Sequence, residues 1–292
     1  MDRSIIENHF RSIQDVVSSG LLDFDPTASR VDDVWERPGG GGGITRIIAG
    51  ESIEKAAVNF SAVWGPTPAQ LAELAAAGSR QFYATGVSII VHPHNPHAPT
   101  LHANLRYFET DSDRAWFGGG CDLTPFYFYQ EDAVHFHRTL KAVCDRHPVA
   151  DYDEWKKACD AYFQLPHRNE ARGIGGLFFD HLTDNLSDVW TMLEDLGHHL
   201  LGAYRPILDR RSSTPFTEEQ EVWHQLRRGR YVEFNLVWDR GTRFGLDTGG
   251  RTESVLASLP PRARWQYDFQ PLPDTPEFEL LALLQGAPRD WV

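Results

Sequence analysis

The chain is poor in cysteine and in positive charge, and it has no long apolar run. Only three cysteines occur in 292 residues, and no two of them form a CxxC pair. This spacing argues against a disulfide framework, a thiolate zinc site and an iron–sulfur cluster. No apolar run approaches the eighteen or so residues of a membrane span, and the first residues show no signal-peptide core. We therefore expect no membrane span and a cytoplasmic location.

Acidic residues outnumber basic ones. The chain has 41 Asp and Glu against 28 Lys and Arg, which gives a formal net charge of −13. Nucleic acids and anionic membranes select basic surfaces, so neither is an expected partner. An anionic small ligand would have to be held by local arginines. Hydrophobic residues make up 41% of the chain, which is enough for a substantial core.

Histidines are concentrated in one stretch, residues 86–125. Four of the thirteen fall within eleven consecutive positions, at His92, His94, His97 and His102. At the two-residue period of a strand, Ser88 and His92 share one face. By the same period, His102, Asn104 and Arg106 share one face of a second strand. A row of imidazole, amide and guanidinium groups can bind an anion and transfer a proton in the same place, so this stretch is the strongest candidate for a functional site.

Three glycine runs deserve separate interpretations. The run at 39–43 lacks both GxGxxG spacing and a Gly-Lys-Ser/Thr ending, so it is either a flap over a ligand or a hairpin tip, and not a phosphate loop. The run at 118–120 precedes Asp122, which it would present at a strand end; the alternative is an Asp that only closes a turn. Gly249 and Gly250 precede Arg251 at the start of a short helix, which suits a carboxylate ligand or an ordinary surface salt bridge.

The apolar periodicity predicts a single domain over residues 1–292, with no visible linker or repeat. Helical spacing of apolar residues predicts helices at 4–20, 68–77, 130–144, 153–164 and 187–211. Residues 231–238 alternate cleanly between two sets of side chains, which predicts a long strand. We therefore expect an α+β fold in which helices flank a large antiparallel sheet.

Five long motifs carry a resemblance to a known family. They are HPHNPHAPTLHANLRYF, WFGGGCDLTPFY, HRNEARGIGGLFFD, GRYVEFNLVWDRGTRFGL and GGRTESVLASLPPRARWQYD. Together they resemble the oxygen-dependent coproporphyrinogen-III oxidases, in particular the bacterial ones. The resemblance implies oxidative decarboxylation of two propionates of coproporphyrinogen III to vinyl groups, which gives protoporphyrinogen IX in haem biosynthesis. It also implies O2 as co-substrate, no organic cofactor, and a homodimer whose interface we place at residues 231–238 and beyond.

The resemblance also assigns roles to individual residues. The substrate contacts that it implies are Ser88, Asn104, Leu105, Arg106, Gly249, Gly250 and Arg251. It implies His102 as the proton donor, and a divalent metal, manganese, on His92, His102, His137 and His167. From the residues themselves we add the hypothesis that Asp122 orients the substrate ring and accepts a pyrrole proton.

Several alternatives stay open. Imidazole ligands suit manganese less well than zinc, copper or iron, so the four histidines could instead bind propionates or tune protonation. A non-haem iron oxygenase would need two histidines and one carboxylate, and the 86–125 stretch contains no HxD or HxE pair. A non-enzymatic porphyrin carrier would need an axial-ligand pattern, which the sequence does not show.

Overall fold

The structure is a computed structural model that describes residues 1–67, 78–112, 114–247 and 249–292. The helix predicted at 68–77 lies outside these residues. The helices are α1 (Arg3–Phe24), α2 (Gln130–Cys144), α3 (Tyr152–Tyr162), α4 (Leu186–Arg211), α5 (Glu218–Glu233), α6 (Arg240–Asp247), α7 (Thr252–Leu256) and α8 (Pro276–Gln285). A π-helix at Phe234–Trp238 joins α5 to α6.

Antiparallel pairing builds the main sheet. Its strands are β1 (Ser29–Glu36), β2 (Gly41–Ala49), β3 (Ile53–Pro66), β4 (Gln81–Pro93), β5 (Thr100–Thr110), β6 (Ala115–Thr124) and β9 (Gly176–Leu182). Within the described ranges they lie in the order β1-β2-β3-β4-β5-β6-β9, and every neighbouring pair is antiparallel. A separate small ribbon pairs β7 (Gln164–Leu165) with β8 (Glu170–Ala171). This architecture confirms the α+β prediction.

The core lies on one face of the sheet. Helix α1 buries Ile6, Phe10, Ile13 and Val17, whose spacing of three and four residues places them on one side. They join inward-facing strand residues and side chains from α2 and α4 in one cluster. Fully burying such a side chain contributes roughly 1.5–3 kcal/mol. Helices α1, α2 and α4 therefore cover one face, and the other face is left for polar side chains.

Most predicted helices agree with the structure. The helix at 130–144 has the same bounds as α2, and those at 4–20, 153–164 and 187–211 correspond to α1, α3 and α4. A capping box between Thr217 and Gln220 begins α5. The glycines at 39–43 form the tip and first residues of the β1–β2 hairpin, where Gly40 and Gly41 take positive φ values of 115° and 86°. The hairpin interpretation is therefore the one that the structure supports.

One strand prediction was wrong. Residues 231–238 form the end of α5 and the π-helix, because the capped helix continues through these positions and overrides their high strand propensity. Burial does not follow a period of two there, since Tyr231 and Val232 are both buried and Val237 and Trp238 are both exposed. Strand β6 runs on to Thr124, so the glycines at 118–120 lie inside it and do not end it, and Asp122 lies two residues before its end.

Candidate active site

The sheet face opposite α1, α2 and α4 carries polar residues of the 86–125 stretch. Strand register places His102 of β5 opposite Asp122 of β6, and Arg106 opposite Gly118. We call this surface the polar platform. On strands β3 to β6 it consists of Asn59, Ser61, Gly86, Ser88, His102, Asn104, Arg106, Gly118, Gly120 and Asp122. The prediction that His102, Asn104 and Arg106 share one face of a strand is confirmed.

Glycines keep the middle of the polar platform flat. A Cβ atom on Gly118 would lie 2.4 Å from Oδ1 of Asp180, and one on Gly120 would lie 2.1 Å from the carbonyl oxygen of Leu177. A side chain at Gly120 would collide with the backbone of the neighbouring strand, and one at Gly118 would displace the Asp180 carboxylate. The resulting floor lets a ligand approach the backbone between the polar side chains.

Three charged or titratable side chains meet at one end of this floor. Nδ1 of His102 lies 2.7 Å from Oδ1 of Asp122. Arg172, from the loop between β8 and β9, donates from Nη2 to Oδ1 of Asp122 at 2.6 Å and from Nε to Oδ2 at 3.2 Å. Both carboxylate oxygens of Asp122 therefore have partners, and the guanidinium clamps the carboxylate in a bidentate geometry.

Burial and charge fix the protonation state of this group. The side chains of Asp122 and Arg172 are each 1% exposed. Burial alone would raise the pKa of Asp122, but the Arg172 charge and the His102 hydrogen bond hold this pKa below its usual value. The guanidinium of Arg172 also lies over the rings of Phe163, Tyr231 and Phe234, at 3.9, 4.9 and 4.7 Å from their centroids. The pair is therefore ionised and held in an apolar setting.

His102 is the member of this group that can reach a ligand. Because the Asp122 carboxylate can only accept, Nδ1 of His102 carries the proton and donates it. Nε2 has no hydrogen-bond partner among the described residues, and the side chain is 22% exposed. An imidazole that is oriented by a carboxylate and open at Nε2 can give or take a proton there.

Arg106 lies further along the same strand. Its guanidinium donates to Oδ1 of Asn104 at 3.0 Å and pairs with Oδ2 of Asp180 at 2.7 Å. The pair with Asp180 crosses over Gly118. Arg106 is therefore held on the floor with a planar donor group that suits a carboxylate ligand.

Arg251 approaches the platform from another element. It is the N-cap residue of α7 and forms an ion pair with Asp33 of β1. Gly249 has φ of 71°, and the Gly250 N–H donates to the carbonyl of Gly245, so these two glycines make the turn that places Arg251. The predicted start of a short helix at this position is confirmed.

Two predicted site residues sit differently from the rest. Leu105 lies on the opposite face of β5 and is fully buried in the core, so only its backbone is near the platform. Asp122 lies beneath His102 with both oxygens engaged, so this geometry does not support the hypothesis that its carboxylate touches a substrate ring. Ser88 and Asn104 are opposite each other in the register of β4 and β5 on the platform.

The four histidines expected to hold a metal are not brought together. Both ring nitrogens of three of them have protein partners: Thr100 and Ser258 for His92, Tyr152 and Ile174 for His137, and Glu233 and Trp238 for His167. Across the ranges that the structure describes, no group of three His, Cys, Asp or Glu side chains could hold a metal ion. This donor set does not fit the expected metal site, and we derive no chemical step through a metal.

The sequence did not identify the residues that organise this site. Arg172 and Asp180 orient His102 and Arg106 through the contacts above, yet neither was predicted as a site residue. Ser254 of α7 was also missed; its hydroxyl lies 2.6 Å from that of Thr45, and its carbonyl accepts from Asn59 at 3.1 Å. These contacts place α7 over the platform at strands β2 and β3. A single arginine before GIGG was the only available signal for Arg172.

Comparison with known proteins identifies the family. The family profile described as coproporphyrinogen III oxidase matches residues 5–291. The chain belongs to the coproporphyrinogen III oxidase family. A chloroplastic oxygen-dependent coproporphyrinogen-III oxidase of Glycine max is 46% identical over 307 residues, which cover 99% of this chain and 80% of the relative. Chloroplastic coproporphyrinogen-III oxidase 1 of Arabidopsis thaliana is 46% identical over 308 residues, which cover 99% and 79%.

Family membership confirms the resemblance drawn from the motifs. Both relatives named above are chloroplastic, so they give no support to the cytoplasmic location, which stays a prediction. None of the helices in the described ranges is long and apolar enough to cross a membrane.

Proposed function

We propose that this chain is an oxygen-dependent coproporphyrinogen-III oxidase that converts two propionates of coproporphyrinogen III to vinyl groups and gives protoporphyrinogen IX. The observation that carries the proposal is the pair of His102 and Asp122 at one end of a flat glycine floor that also holds Arg106. Membership of the family supports the choice of substrate.

The shape of the polar platform suits a tetracarboxylate macrocycle. Arg106 stands on β5, and Arg251 is tied to β1, so four strand spacings of about 4.8 Å, roughly 19 Å in all, separate the two anchoring strands. Both guanidinium groups can form charge-assisted hydrogen bonds to propionates, each worth roughly 1.5–3 kcal/mol. Such local charges allow an acidic protein to bind an anion.

The balance of the reaction requires a proton donor. Conversion of one propionate to a vinyl group releases CO2 and a hydride equivalent, that is, one proton and two electrons. Molecular oxygen takes up the two electrons and needs two protons to form hydrogen peroxide. One proton per decarboxylation must therefore come from elsewhere. His102 can supply it from Nε2 when the ring has first taken up a solvent proton there and is an imidazolium, while Asp122 accepts from Nδ1 and, with Arg172, keeps the ring in place.

We also propose a homodimer and a cytoplasmic location. Residues 236–272 expose several large apolar side chains, namely Leu236, Val237, Trp238, Leu246, Trp265, Tyr267 and Leu272. Exposed apolar groups of this kind favour an interface between subunits. Sedimentation at assay concentration tests the dimer, and a single species of about 33 kDa would contradict it. Cell fractionation of the native host tests the location.

The manganese prediction needs its own measurement, because the histidine donors do not fit in this structure. Plasma mass spectrometry of enzyme purified without chelator, followed by an assay after chelation, tests it. Stoichiometric metal whose removal abolishes turnover would support the predicted ligands. Full activity in a metal-free preparation would support the alternative in which the histidines act without a metal.

The central test is an incubation with coproporphyrinogen III in air and under nitrogen, with the products separated by chromatography. We expect protoporphyrinogen IX in air and no conversion without oxygen. Binding without conversion would indicate a carrier, and equal conversion under nitrogen would contradict the dependence on oxygen. His102→Gln should keep the fold and lose turnover, because an amide cannot deliver the proton.

A further inference from the structure

One backbone carbonyl behind the polar platform collects two side-chain donors. The carbonyl oxygen of Ile174 accepts from Nε2 of His137 at 3.0 Å and from Nε1 of Trp291 at 3.2 Å. The donors come from α2 and from the last residues of the chain, and their rings pack at 6.1 Å between centroids. Both lone pairs of the oxygen are thus used by elements far apart in sequence.

His137 is held in a single tautomer. Its side chain is fully buried, and both ring nitrogens have hydrogen-bond partners. A carbonyl can only accept, so the proton of the ring sits on Nε2, and Nδ1 accepts from the Tyr152 hydroxyl at 2.8 Å. Metal coordination through either nitrogen would break one of these two hydrogen bonds.

Ile174 belongs to the turn that carries Arg172. The Ile174 N–H donates to the carbonyl of Leu123 at 3.0 Å, and the Leu123 N–H donates to the carbonyl of Gly175 at 3.2 Å. These bonds fasten the 172–175 turn to β6 directly beside Asp122. Helix α3 lies against the other side of the turn, since a Cβ atom on Gly175 would lie 2.4 Å from Oδ1 of Asp160 in that helix. A shift of Ile174 therefore moves the guanidinium that clamps Asp122.

We propose that His137 and Trp291 are positioning residues for catalysis. Their two N–H groups fix the position of the 172–175 turn. The turn holds Arg172 against Asp122, and this contact sets the orientation of His102. This inference rests on the proposed function and gives His137 a role that does not involve a metal. It predicts a loss of turnover with little change in substrate affinity, because neither residue lies on the polar platform.

The first experiment removes one N–H and keeps the ring. Trp291→Phe retains the packing against His137 but loses the donor, and we expect kcat to fall about tenfold, since small misplacements of reacting groups cost that much or more. KM for coproporphyrinogen III should stay within about twofold, because no binding contact is lost. Trp223→Phe is the matched control: Trp223 is more deeply buried than Trp291 and donates to the carbonyl of Phe126 at 2.7 Å, outside the turn. It should keep the kcat of the unaltered protein.

The second experiment separates donation from metal coordination at His137. The amide of Gln can place an N–H where Nε2 lies, whereas Leu cannot, so His137→Gln should keep most of the turnover that His137→Leu loses. Equal loss in both variants, together with loss of bound metal by plasma mass spectrometry, would overturn the proposal in favour of a metal ligand. Circular dichroism checks the fold of each variant. If His137→Leu does not fold, the kcat values of Trp291→Phe and His137→Gln test the proposal.

The outcomes distinguish this inference from the proposed function. An unaltered protein that never converts coproporphyrinogen III would refute the proposed function itself. An active protein whose Trp291→Phe variant keeps full kcat would refute only the positioning role. A variant that changes KM and leaves kcat intact would also refute it, because that result requires contact with the substrate.

Discussion

Replacement of Arg172 by Met tests whether the buried ion pair organises the site. Met keeps much of the apolar volume among Phe163, Tyr231 and Phe234 but leaves the Asp122 carboxylate with only His102 as partner. Removing one partner of a buried pair costs about 3–5 kcal/mol, because the remaining charge stays buried. A domain is stable by roughly 5–15 kcal/mol, so this change should remove a large part of the total.

The pH dependence of this loss has a definite sign. In the unaltered protein the pKa of Asp122 lies below the ordinary value of 3.8, so the stabilisation is present above about pH 3.8 and is lost as the pH falls through the lowered value. Without Arg172, burial raises the pKa of Asp122 above 3.8. The native variant then binds more protons than its unfolded chain, so its stability decreases as the pH rises toward that raised pKa. The gap between the two proteins should therefore widen with pH.

Urea unfolding followed by circular dichroism at several pH values between 5 and 8 measures this gap. The double variant Arg172→Met with Asp122→Asn should be less destabilised than the sum of the two single variants, since it leaves no unpaired charge. Loss of turnover should accompany the single change even where the protein is folded. A difference within about 0.5 kcal/mol of the unaltered protein, the range of an ordinary surface substitution, would refute the reasoning.

Three further substitutions test other parts of the structure. Gly118→Ala should raise KM about tenfold, equivalent to about 1.4 kcal/mol, because its Cβ collides with Asp180 beside Arg106. The control is Gly202→Ala, which should leave steady-state kinetics unchanged because the space around its Cβ is open. Arg106→Lys should raise KM by ten- to a hundredfold, about 1.5–3 kcal/mol, because a point charge cannot replace the planar fork; an unchanged KM would exclude Arg106 as a propionate contact. Burial alone would raise the pKa of Glu233, but hydrogen bonds from Arg168 and His167 lower it from 4.5 to about 2. Glu233→Gln should therefore lower the free energy of unfolding in urea by about 3 kcal/mol at pH 7. This loss should become progressively smaller as the pH falls from 4.5 toward 2. A constant difference across that range would contradict the assigned pKa.

The sequence predicted the part of the site that follows from strand periodicity. His102, Asn104 and Arg106 share a face because a strand alternates strictly, and the apolar residues between them fix which face is buried. The role of Arg172 could not be predicted in this way. Its burial depends on three rings that come from separate elements, and no local pattern reports such a meeting. Local propensity also misled at residues 231–238, where a helix begun by the Thr217 cap continues through strand-forming residues.

The predicted metal ligands show a different limit. The resemblance assigned a metal to His92, His137 and His167, but motif matching says nothing about what each ring nitrogen contacts. In the structure those nitrogens are already hydrogen-bonded to protein groups. Of the four histidines, His102 is the one that lies on the platform with a ring nitrogen that has no protein partner among the described residues. This difference follows from three-dimensional contacts, which a motif does not contain.

The π-helix has two sides with different surroundings. Phe234 is buried, and its ring lies 4.7 Å from the guanidinium of Arg172. Leu236 and Val237, two and three residues after Phe234, are 45% and 49% exposed. A partner subunit that docks on these exposed residues would contact the same short segment that packs against Arg172. Turnover per molecule should then fall when the protein is diluted below the dissociation constant of such a dimer, so specific activity would depend on the fraction of dimer.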